Sequence, residues 1–154
     1  MECYEGATMI KTFRGLIADN AQDTIVLHTN DGSTGYRIVK FEVIGLDGNT
    51  AYENTIQIWS VSQATNPSSI DLSNQEVIAA GILQQTTASQ SSAWDRIVID
   101  NMVFNQDIFI THKGISAGIG NPVNYYLELE QVKLDLGENT VATLKDIRNV
   151  TSPV

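Results

Sequence analysis

Apolar and polar residues alternate along most of this chain, in short runs. Side chains of a strand point to opposite faces in turn, so a period of two marks a half-buried strand. Such runs occupy residues 10–17, 23–29, 36–45, 55–61, 76–86, 94–100, 107–113 and 124–136. They are rich in Ile, Val, Thr and aromatics. Clusters of Asn, Asp, Gly and Ser, such as "NDGSTG", "LDGNTAYEN" and "NPSSIDLSNQ", stand between them as turn formers. Helical periodicity is nearly absent. The exception is "ENTVATLKDIRN", where Val141, Leu144 and Ile147 fall three apart and predict a short C-terminal helix. A last edge strand is the rival there, because Thr and Val form helices poorly. The pattern predicts an all-β, single-domain antiparallel β-sandwich of about eight strands, with a jelly roll as the leading form.

Two runs change phase midway. In "YRIVKFEVI", Tyr36 and Ile38 share one parity while Phe41 and Val43 take the other. In "NYYLELEQVKLDL", Tyr125, Leu127 and Leu129 give way after Gln131 to Val132, Leu134 and Leu136. A one-residue slip turns every later side chain to the opposite face unless an extra residue is bulged out. Bulges in two long, bent strands are therefore expected, at Glu130–Gln131 in the second case. The rival is a pair of shorter strands with different neighbours.

Length adds that one domain suffices: 154 residues bury a real core. Residues 1–8 do not continue the alternation and are expected to be a loose arm or an upstream-start extension, with Met9 a second possible start. The sandwich domain is expected over residues 9–154. Charge changes the picture more. Eighteen acids against nine bases give a net charge of -9. That disfavours direct nucleic-acid binding, which depends on neutralising phosphates. No basic run favours an anionic membrane surface either. The longest apolar run, "VIAAGIL", is too short to span a bilayer. A single cysteine, Cys3, leaves no internal disulfide.

Candidate chemistry is sparse. His28 and His112 lie in strand runs without ligand spacing, and read as solvent-facing or hydrogen-bonded strand histidines. Aspartates fall mostly at turns, where they bond to backbone. No nucleophile elbow or calcium loop stands out. No enzyme activity, metal or cofactor is expected. The loop "GISAGIGNP" has three glycines and an apolar tip, so Gly114, Ile115, Gly118 and Ile119 are candidate subunit contacts. Trp94, Tyr125 and Tyr126 are candidate ligand aromatics, for a saccharide in particular, while Trp59 reads as packing. Tyr125 and Tyr126 are adjacent, so one points inward and one outward.

The stretches "MIKTFRGLIADNAQDTIVL", "GYRIVKFEVIG" and "NYYLELEQVKLDL" resemble small virion structural proteins of marine bacteriophages, over residues 9 to about 149. The resemblance implies a capsid-forming or capsid-decorating subunit of jelly-roll type, without catalytic residues. Its expected partners are itself, as a trimer or higher homo-oligomer, and other capsid proteins. Its expected place is the virion, after synthesis in a host cytoplasm. The alternative is a carbohydrate-binding β-sandwich module.

Overall fold

The computed structural model describes residues 9–27, 33–86, 91–99, 101–114 and 121–134. They form eight strands: β1 (Ile10–Ile17), β2 (Ala21–Ile25), β3 (Thr34–Gly45), β4 (Tyr52–Trp59), β5 (Val77–Thr86), β6 (Ser91–Val98), β7 (Ile108–Gly114) and β8 (Val123–Lys133). All pair antiparallel, in a three-stranded sheet ordered β1-β8-β3 and a five-stranded sheet ordered β2-β7-β4-β5-β6. The expected all-β chain in two sheets is what forms. The expected C-terminal helix, the arm at residues 1–8 and most of the loop at 115–120 lie outside the described residues. Boundaries move by a few residues: β2 lies at 21–25 rather than 23–29, and β6 opens at Ser91, three residues before Trp94.

The core lies between the sheets. Phe41 and Val43 of β3 and Tyr125, Leu127 and Leu129 of β8 face Ile56 and Ile58 of β4 and Ile108 and Ile110 of β7. Each set is spaced two apart, as a strand with one inward face requires. The five-stranded sheet is also covered on its outer face. Trp59, Val77 and Ala80 form a second buried cluster with Ile70 and Phe109. The connection between β4 and β5 lies over it: Thr55 Oγ1 donates to the Ser68 carbonyl (2.9 Å) and Gln57 Nε2 to the Ser69 carbonyl (3.0 Å). Trp59 Nε1 donates to Thr111 Oγ1 at 2.9 Å, which satisfies a buried indole N–H. Burial on both faces explains why "VIAAGIL" of β5 shows no alternation.

One expected bulge is present and the other is not. The β3–β8 register shifts between Ile38 and Lys40, leaving Val39 as the extra residue. Ile38 and Phe41 both stay buried while Val39 is exposed, so the phase slip in β3 is a bulge that keeps the apolar face inward. The bulge expected at Glu130–Gln131 is not found. β8 pairs residue by residue from Leu129 to Lys133 with Ile38 to Thr34. The apolar change there has a tertiary cause. A Cβ on Gly35, the partner of Val132, would meet both Val103 and Leu134, so the β6–β7 connection covers that end of the sheet's other face. One continuous strand thus has different neighbours at its two ends.

β6 links the sheets. It pairs with β5, yet its side chains reach β3. Trp94 meets Phe41 edge-on at 5.3 Å between centroids, and Arg96 pairs with Glu42 at 2.6 Å. Beyond it, Phe104 and Tyr36 exchange backbone hydrogen bonds of 2.7 and 2.9 Å, so the chain reaches the free edge of β3.

Candidate functional site: an uncovered sheet face and its cleft

The two outer faces differ. The outer face of the five-stranded sheet lies under the chain's own β4–β5 connection, while among the described residues most of the outer face of β1-β8-β3 has no such cover. Nine large apolar side chains are exposed among the described residues. Six of them, Met9, Ile10, Leu16, Val39, Ile44 and Leu46, lie on or beside β1 and β3. Exposed apolar residues scattered singly need no explanation, but a concentration on one face marks an interaction surface.

Register fixes the pattern on this face. Residues directly across the sheet form rows, because neighbouring strands lie only about 4.8 Å apart. One row is Arg14–Tyr126–Glu42 and the next is Leu16–Asn124–Ile44. Leu16 is 50% exposed and Ile44 69%, on either side of Asn124. Glu42 is held by Arg96, and the Tyr126 hydroxyl donates to Glu128 Oε1 at 3.0 Å, with Lys40 Nζ 5.8 Å from the ring centroid. Arg14 has no ion-pair or hydrogen-bond partner among the described residues. Further along, Arg37 pairs with Glu130.

A cleft of about 830 Å³ opens at this end of the sandwich, and both rows line it. Gln85, Ser92, Ala93 and Trp94 contribute from β5 and β6. All three sequence-predicted aromatics, Trp94, Tyr125 and Tyr126, are among its lining residues. Their rings are engaged differently. Tyr125 points inward, where a Cβ on Gly15, its cross-strand partner, would collide with the ring. Burial pushes its phenol pKa up, helped by the Asp23 carboxylate and its hydrogen bond. Trp94, expected at the surface, is half-buried and lies across Gly81 in the same way, its Nε1 3.5 Å from the Phe41 carbonyl. Tyr126 is the outward one of the pair.

Among the predicted subunit contacts, Gly114 is described and Ile115, Gly118 and Ile119 are not. Gly114 closes β7, and its N–H donates to Asp19 Oδ1 at 2.6 Å. His28 also lies outside the described residues. His112 is fully buried, with Nδ1 3.2 and 3.0 Å from the carbonyls of Ile17 and Ala18 and Nε2 2.6 Å from Asn54 Nδ2. Two carbonyls at Nδ1 require a proton there, so neutral His112 accepts at Nε2 from the amide. Desolvation holds its pKa below the ordinary imidazole value, against the opposing pull of the two carbonyls and Asp19. This histidine pins the β1–β2 connection to β7. Its buried polar contacts have no sequence signal. The turn aspartates behave as expected: Asp47 accepts from Asn49 N–H, and Asp71 from both groups of Ser73, which hold its carboxyl below its usual value.

Among the described residues no three His, Cys, Asp or Glu side chains gather as a metal site, and no helix is long and apolar enough to cross a membrane. Comparison with protein-family models, curated proteins and solved structures gives no match.

Proposed function

We propose that this chain is a structural subunit of a virus particle, a jelly roll that forms or decorates the capsid shell. The observation that carries the reading is the nesting of its strands. β1 pairs with β8, β2 with β7 and β4 with β5, and β6 adjoins β3 through Trp94–Phe41 and Arg96–Glu42. Three nested pairs support one long antiparallel ribbon rolled on itself, the jelly-roll plan shared by viral capsid and lectin domains. The departure from that plan is the fourth pair: β6 is hydrogen-bonded to β5 in the five-stranded sheet and reaches β3 through side chains.

The step from topology to a virion is a fold-level analogy. The net charge of -9 fits a position away from the packaged genome, on the outside of a shell. The sequence resemblance to marine-phage virion proteins points the same way. In this reading the protein is not an enzyme, needs no cofactor, and works as a homo-oligomer of trimer or higher order beside other capsid proteins. Quantitative mass spectrometry of purified particles tests it. The chain is expected at a stoichiometry comparable with the capsid protein, and its absence from clean particles would refute the reading.

A second reading, a carbohydrate-binding module, draws on the cleft that Trp94, Tyr125 and Tyr126 line. It ranks below because two of those rings are already packed on glycines. Glycan-array binding lost in Trp94→Ala would favour it, and an array without signal would remove it.

A further inference from the structure

We propose that the outer face of β1-β8-β3 pairs with the same face of a second copy, about a two-fold axis running roughly along β8. The inference follows from the rows on that face and does not rest on the virion reading. A two-fold axis lying in the contact plane along the central strand exchanges the two flanking strands. At every height β1 of one copy then faces β3 of the other, as an isologous contact requires. In one row, Arg14 meets Glu42 of the second copy, and in the next, Leu16 meets Ile44 of the second copy.

Both encounters are complementary. Arg14 is a cation without a partner among the described residues, and Glu42 offers a carboxylate oxygen, Oε2, beyond the Oε1 that holds Arg96. Leu16 and Ile44 are exposed apolar residues at the same height on this face. Asn124, Tyr126, Glu128 and Glu130 lie along the axis and meet their own equivalents. The amide pair and the tyrosine stack tolerate self-contact. The two glutamate pairs oppose it and are offset by a cation beside each in its own copy, Lys40 across from Glu128 and Arg37 on Glu130. The opposite arrangement, with the axis across the strands, has no such match, because it sets Arg14 against residues of β1 itself. The chain's other sheet shows what a satisfied outer face looks like, with Trp59, Val77 and Ala80 under the β4–β5 connection. A second copy supplies the equivalent cover here.

The face is three strands wide and eight residues long, about 10–15 Å by about 25 Å at ordinary strand spacings. A contact of that size is a weak one that gains strength by repetition in a larger assembly. The pair is therefore expected as a weak, concentration-dependent equilibrium.

Charge reversal gives a test that misfolding cannot imitate. Arg14→Glu sets two carboxylates together at both ends of the pair, and Glu42→Lys sets two cations together. Each variant alone is expected to associate at least about tenfold more weakly than the parent chain, since like charges facing across a contact cost affinity. Mixing the two restores opposite charges at both ends. Native mass spectrometry of the full-length proteins is expected to show a mixed dimer and few dimers of either variant alone. Single variants that pair as well as the parent, a mixture without a mixed dimer, or a parent at single-chain mass at every concentration would each overturn the proposal. A mixed dimer from a protein absent from particles would sink the virion reading and leave this one standing.

Discussion

His112 shows how one side chain can be fixed by what surrounds it. Its ring is buried, its protonated nitrogen faces two backbone carbonyls, and its other nitrogen takes an amide hydrogen from Asn54. The unfolded chain protonates an imidazole near its ordinary pKa of about 6.5, whereas the folded site resists the second proton. Between those two values the unfolded state binds more protons, so stability is complete above about pH 6.5 and falls as the pH drops toward the folded value. Urea unfolding midpoints measured from pH 8 to pH 5 are expected to decline below that point, with a shallower decline in His112→Phe. The same variant is expected to lose about 1–3 kcal/mol at pH 8, because Asn54 and two carbonyls lose their partner. A pH slope unchanged in the variant would contradict this account.

Gly81 and Trp94 make a second pair at this scale. A Cβ at position 81 would overlap the indole ring. Gly81→Ala is expected to push the ring toward solvent, with a red-shifted emission and a loss of about 1–3 kcal/mol, as for other overpacked sites. Trp59, hydrogen-bonded to Thr111 under its own cover, supplies a second emission that should stay constant.

At the scale of elements, β3 carries one extra residue. Val39 is bulged out, so that Ile38 before it and Phe41 after it both face the core. Deleting Val39 would remove the extra residue and leave Ile38, Phe41 and Val43 in plain alternation, all still facing inward. Thermal melts are expected to show a folded deletion variant with a cooperative transition, and Val39→Thr, which keeps the residue count, melting within a few degrees of the parent. A deletion variant that is unfolded or molten at room temperature would refute Val39 as the extra residue.

This bulge was legible in the sequence because the apolar parity changes within one strand whose inward face is fixed by Tyr36, Ile38, Phe41 and Val43. The similar change in β8 misleads for a physical reason. Val132 and Leu134 lie where Val103 comes in from the β6–β7 connection, a neighbour 29 and 31 positions away that no local pattern encodes. Cover on the far side of the five-stranded sheet was hidden likewise. Its only trace was the unbroken apolar run of β5, which signals burial on both faces without saying what buries it. The cleft's aromatics could be named from sequence, but not that Gly15 and Gly81 would take up two of their rings.

At the scale of the whole molecule, one sheet is covered by the chain's own connection and the other presents paired charges and exposed Leu16 and Ile44. An exposed apolar and charged face on one side is what a contact surface requires. In the proposed pair, two-fold contacts at that face would leave the opposite side free for further contacts in a larger assembly. The region around Gly114, singled out by its glycine-rich sequence, is the next place to look for these. Assembly through this face is the proposal on which the functional reading turns, and native mass spectrometry of the intact protein over a wide concentration range is the decisive measurement. Species at multiples of the 16.9 kDa chain are expected to grow with concentration. A single species at the mass of one chain throughout would refute assembly.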